Sequence, residues 1–123
     1  MKKLLLLSLM FVGFATFNFA QEINQAKFDM TSANLVKSLE AGEVTFFFSK
    51  SIDGAGVKNN IQYYTNYFSV NFDPMSGKTV LKLTKDDMAK MVISRFLMSC
   101  GINEVIVEGK TMTVQDFMAE YLR

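Results

Sequence analysis

Few side chains here offer chemistry: one cysteine, Cys100, nine methionines and no histidine in 123 residues. A thiol nucleophile needs an activating base, most often histidine, and the chain has none. Cys100 follows a helical run, and the negative end of a helix dipole would raise its pKa rather than activate it. The sequence therefore predicts a buried structural thiol. Met88, Met91 and Met98 add soft sulfur that, with Cys100, suits copper. Met88 and Met91 also have the spacing of any core-facing helix, and Met98 points to a different sector, so core packing is the expectation. Without histidine, a serine triad and a zinc site lose their usual components, although carboxylates alone suffice for calcium or magnesium. Asp86 and Asp87 are explained by helix capping, and Asp53 beside Gly54 by turn formation. The two arginines, Arg95 inside a helix and Arg123 at the end, leave no phosphate-cradling loop of the acylphosphatase kind. The expectation is a non-enzyme with no catalytic residue, no metal ligand and no cofactor.

Tyr63, Tyr64, Tyr67 and Phe68 place four aromatics in six positions, more than one helix face can bury. Either added helices of the same chain cover them or they form an interaction surface for a partner, since tyrosine favours interfaces where one end stays wet.

The elements that must position these residues follow from periodicity. Leu35, Val36 and Leu39 mark a short amphipathic helix from Thr31 or Ser32, stopped at Ala41-Gly42. The β-branched and aromatic run 43–49 is the best strand candidate. Asp53 to Gly56 is a turn or loop, after which Val57, Ile61, Tyr64 and Phe68 predict a helix face, with strand as the alternative near Tyr63. Segments 69–72 and 79–83 alternate on either side of Asp73 to Lys78, a hairpin with Pro74 at its tip. Thr84 to Asp87 has capping-box spacing ahead of a helix whose apolar sector is read as Met88, Met91, Val92, Phe96 and Ser99, widened by Ile93, Leu97 and Cys100 and ended by Gly101. A strand over 102–108, a turn at Gly109-Lys110 and a short capped helix from Thr113 complete the chain. The body is therefore β-α-β-β-α-β over 43–108, with an additional N-terminal helix and a short C-terminal helix. That order makes the expected class α+β, a ferredoxin-like sandwich.

Ser69-Val70-Asn71-Phe72-Asp73, Ser76-Gly77-Lys78-Thr79-Val80, the helix end Leu97-Met98-Ser99-Cys100-Gly101-Ile102 and Glu104-Val105 carry a resemblance. Through them residues 43–108 resemble the heavy-metal-associated domain, the family of copper chaperones and of the soluble modules of metal-pumping ATPases. The resemblance implies a Cys-x-x-Cys pair in the loop between first strand and first helix, where two thiolates grip a soft metal. That loop here contains Ser51, Asp53, Gly54 and Gly56, with no Cys, His or Met between Ser49 and Val57. The implied relative is degenerate: it keeps the scaffold and lacks the family's site.

The chain opens with Met1-Lys2-Lys3 and an apolar run, Leu4 to Val12, too short to span a bilayer comfortably. Residues 1–20 read as a signal peptide cut after Ala20, with Ala15 as an alternative cut and a retained anchor helix as the competing reading. Cleavage after Ala20 leaves 103 of the 123 residues, one domain over 21–123 that buries about two-thirds of its unfolded surface. Loss of Lys2 and Lys3 leaves 11 basic against 12 acidic side chains, which steers the protein neither to nucleic acid nor to an anionic membrane. The expected protein is periplasmic or secreted, with no stable membrane insertion after cleavage. It is expected to be a binding or interaction module whose partner is another envelope protein. The alternative is a cell-envelope copper-binding protein using Met and Cys ligands. Oligomeric state is not legible in the sequence.

Overall fold

The computed structural model describes residues 23–123, so the proposed signal segment lies outside the described residues. Strand β1 is Gln25–Phe28 and helix α1 is Ser32–Ala41. Thr31 caps α1, its hydroxyl accepting from Asn34 N at 3.2 Å, and the Gly42 N–H closes it on the Ser38 and Leu39 carbonyls. This is the helix expected ahead of the body, although Val36 faces solvent while Leu35 and Leu39 enter the core. Strand β2, Glu43–Phe48, is the strand expected from the β-branched and aromatic run, with Val44, Phe46 and Phe48 buried.

The second helix is shorter than expected. Helix α2 spans Gly54–Ile61 and gives way to a 3₁₀ turn at Gln62–Tyr64. Phe68 then opens strand β3, Phe68–Phe72, opposite Leu83. Tyrosine and asparagine are indifferent helix formers, and the cross-strand partner outbids a fourth helical turn. The expected hairpin forms between β3 and strand β4, Lys78–Leu83.

Helix α3, Ala89–Ser99, starts later than Thr84 predicts. The Thr84 hydroxyl donates instead to the Asn66 and Tyr67 carbonyls at 3.0 and 3.1 Å, and it is Asp86 Oδ1 that accepts from Met88 N, at 2.8 Å. The capping-box reading is thus corrected: Thr84 ties the helix entrance to the end of the preceding turn. The buried face is Ala89, Val92, Ile93, Phe96 and Leu97, rotated from the expected sector. Met88 and Met98 are 49% and 48% exposed and Met91 is also exposed, so core packing does not account for these three methionines.

Strand β5, Glu104–Val107, runs through a two-residue turn at Glu108 and Gly109 into strand β6, Lys110–Thr113. Both turn residues have positive φ, 52° and 76°, the geometry that matches the twist of a tight hairpin. Neither β1 nor β6 was legible beforehand. The C-terminal helix α4, Val114–Phe117, is capped by Thr113 accepting from Asp116 N at 3.1 Å and continues as a π-type turn, Met118–Leu122.

The class is α+β: a six-stranded mixed sheet of order β3-β4-β2-β1-β5-β6, in which only β1 and β5 run parallel. A four-stranded β-α-β-β-α-β sheet would set β2 beside β5; here β1 separates them and β6 extends the edge. Ala26, Phe28, Val44, Phe46, Phe48, Leu81, Val105 and Val107 are buried on one face, beneath Leu35, Phe96, Leu97, Phe117 and Leu122 of the helical layer. The alternate positions Lys27, Thr45, Phe47, Lys78, Val80, Lys82 and Ile106 are half-buried or exposed, so among the described residues the opposite face is open.

Candidate functional site

The loop that would hold metal in the resembling family connects β2 to α2. Its residues are committed to structure. Ser49 Oγ accepts from Gln25 N at 3.0 Å and sits 3.1 Å from Ser51 Oγ, which donates to Asn24 Oδ1 at 2.5 Å. The central strand β1 thereby anchors the loop. Asp53 caps α2, its Oδ1 accepting from Ala55 N at 3.2 Å. Gly56 sits inside that cap, where a Cβ would come within 3.0 Å of Asp53 Oδ2.

Against this loop lies the β3–β4 turn. Asp73 organises it: the carboxylate accepts from Met75 N and from Ser76 Oγ, both at 3.0 Å, and its carbonyl accepts from Gly77 N at 2.8 Å. The Met75 N–H first, then the Ser76 hydroxyl, hold the Asp73 carboxyl below its ordinary value. Gly77 has φ 78°, and a Cβ there would lie 2.5 Å from the Phe48 carbonyl oxygen, so only glycine lets the turn close onto β2.

Loop and turn enclose a cleft of about 220 Å³ whose lining includes Ile52, Gly54, Phe72, Pro74 and Met75, with Lys50 and Ser76 as polar members. Met75 is 92% exposed. Of the four loop residues singled out in the sequence, only Gly54 lines this cleft; Ser51, Asp53 and Gly56 support its walls instead. Reading the sequence missed the opposite wall. Its available signal was Met75, an apolar residue beside Pro74 at the tip of a hairpin where turn formers are the rule.

The four aromatics do not share an exposed face. Phe68 is fully buried, with Tyr64 stacked on it at 5.8 Å and edge-on to Phe96 at 5.3 Å. The Tyr64 hydroxyl donates to the Arg95 carbonyl at 3.3 Å. Tyr67 is half-buried against the core and Tyr63 alone is exposed, at 69%. The chain's own core takes up most of this cluster, because Phe68 belongs to a strand and not to the helix that the spacing suggested.

Nor does the sulfur converge. Met88 stands at the N-cap of α3 and Met91 and Met98 lie along it, so Met88 and Met98 are about 15 Å apart at 1.5 Å per residue, beyond the reach of one ion. Cys100 is half-buried; burial pushes its thiol up, against opposing hydrogen bonds from Asn60 and Ser99. Among the described residues no three His, Cys, Asp or Glu side chains group as a metal site. Comparison with known proteins finds no matching family model, no matching curated protein and no matching solved structure.

Proposed function

We propose that this chain is an exported, non-enzymatic interaction module that holds a protein partner through the cleft between the β2–α2 loop and the β3–β4 turn. The observation that carries the reading is the cleft's size and lining. Sites for free small molecules run to roughly 300–1,000 Å³, whereas this one, at about 220 Å³, suits a single inserted side chain. Its walls, Ile52, Phe72, Pro74 and Met75, favour an apolar anchor, the kind of residue that dominates protein interfaces.

Strand order supports a ferredoxin-like frame as the finer fold reading. Without β1 and β6 the order is β3-β4-β2-β5, and β2 and β5 run antiparallel in sense because β1 is antiparallel to β2 and parallel to β5. That is the split β-α-β arrangement with one strand inserted and one appended. On this frame the cleft occupies the place of the family's metal loop, and fold alone would not decide its use. Export, to periplasm or medium, rests on the N-terminal pattern of Lys2, Lys3 and the following leucines.

The test plugs the cleft. Gly54 has room for a side chain, since a Cβ there would meet Phe72 and Pro74 at an ordinary 3.7 Å. Peptides selected from a displayed random library on the wild-type protein are expected to share one aromatic or aliphatic anchor and to bind Gly54→Leu at least about tenfold more weakly, with unchanged circular dichroism. Selected peptides that bind Gly54→Leu equally well, or stoichiometric uptake of Cu(I) by the wild-type protein, would argue for a different function.

A further inference from the structure

Strand pairing places one row of side chains straight across the open face of the sheet. Lys78 of β4 is opposite Phe47 of β2, Phe47 opposite Lys27 of β1, Lys27 beside Ile106 of β5, and Ile106 opposite Thr111 of β6. This row therefore alternates cation and apolar group, Lys78, Phe47, Lys27, Ile106; at its outer end Asp73, whose N–H donates to the Lys78 carbonyl at 2.9 Å, directs its carboxylate to the Met75 N–H and the Ser76 hydroxyl of its own turn. Gln25, Lys27, Phe47 and Ile106 also line a surface depression of about 200 Å³. The two lysines are exposed, with half-buried Phe47 between them and half-buried Ile106 beyond Lys27.

We infer that this row is a second docking site, for an extended acidic peptide segment in which an apolar side chain lies between two carboxylates. Adjacent strands are about 4.8 Å apart, so the Lys27 and Lys78 backbones are about 10 Å apart across Phe47. In an extended chain residues i, i+2 and i+4 face the same way over about 13 Å. Acid, apolar and acid at those positions meet Lys78, Phe47 and Lys27 with little adjustment of the long lysine side chains.

Width decides the class of partner. The neighbouring row contains Glu104, which accepts from Gln25 Nε2 at 2.9 Å, and Glu43 stands two rows away on the other side, opposite Lys82. With Glu104 in one neighbouring row, and exposed Lys82 answered by Glu43 on the other side, the positive stripe is a single row. A flat anionic membrane engages clusters of about 4–8 basic residues, and a nucleic-acid strand needs a continuous cationic groove with several stacking platforms. A single polypeptide matches one row with one aromatic.

The depression adjoins the cleft through Phe48 and Ser49, but Gly54 lines the cleft alone and Lys27 and Phe47 line the depression alone, so variants at these positions test the two readings independently. The test is fluorescence anisotropy of the purified protein with a labelled peptide of sequence Gly-Glu-Thr-Leu-Thr-Glu-Gly. Saturable binding is expected, weakening about tenfold between about 20 and about 300 mM NaCl as the charges are screened. The Lys27→Gln/Lys78→Gln variant is expected to bind about tenfold more weakly, Phe47→Thr to lose several-fold, and Gly54→Leu to bind as wild type. Equal affinity of the lysine or Phe47 variants overturns the inference. So does the absence of saturable binding at low salt, or retention of phosphatidylglycerol vesicles or oligothymidylate in preference to the peptide.

Discussion

At the scale of single residues, Asp73 does more than its place in a turn suggests. Its carboxylate fixes the Met75 N–H and the Ser76 hydroxyl and so shapes one wall of the cleft. Because those bonds favour the ionised form, the folded-state pKa lies below the unfolded one. The resulting stability is present in full above the unfolded value and is lost as pH falls through the folded value. Urea midpoints of wild type and Asp73→Asn are accordingly expected to differ at neutral pH and to converge below about pH 4. A gap that persists unchanged to pH 2 would mean that the charge of Asp73 contributes nothing to the turn.

Among the elements, the junction of β2 with the β3–β4 turn is the most constrained. Phe48 N donates to the Gly77 carbonyl at 2.9 Å, and the Phe48 carbonyl occupies the space a Gly77 side chain would need. Gly109, also at positive φ, has nothing within 4 Å of a Cβ. Alanine at Gly109 should cost only the left-handed backbone penalty, about 1 kcal/mol. At Gly77 the same change must also part the turn from β2, and a loss of about 3 kcal/mol is expected. Denaturant unfolding of both variants separates the steric cost from the conformational one, and equal losses would contradict the close approach.

For the molecule as a whole, the C-terminal segment closes the core. Phe117 is fully buried, stacked on Phe28 at 4.9 Å and against Tyr121 at 5.3 Å, while the Tyr121 hydroxyl lies 2.8 Å from Ser32 Oγ of α1. The C-terminal segment is thus tied to β1 through the aromatic stack and to α1 through the hydroxyl pair. Phe117→Ala is expected to cost about 3–5 kcal/mol, a large share of the roughly 5–15 kcal/mol that stabilises a domain. Thermal unfolding reads this as a large drop in midpoint. A small one would show that the C-terminal segment from Val114 packs as an accessory and not as part of the core.

Local signals decided much by themselves. Hydroxyl caps at Thr31 and Thr113, the β-branched and aromatic run of β2 and the hairpin around Pro74 are written within a few residues of where they act, and the α+β class follows from them. The sheet's centre was not legible, because β1 is only Gln25–Phe28 and four alternating residues acquire meaning only when β2 and β5 hydrogen-bond to either side. The same limit applies to α3. An apolar pattern shows that a helix has a buried face, but the angle at which it meets the sheet selects Val92, Ile93, Phe96 and Leu97 over Met88 and Met91. Both candidate sites share this origin. Ile52 with Met75, and Lys78 with Phe47 and Lys27, are distant in the chain and become neighbours only through strand pairing, which long-range register sets and local preference cannot.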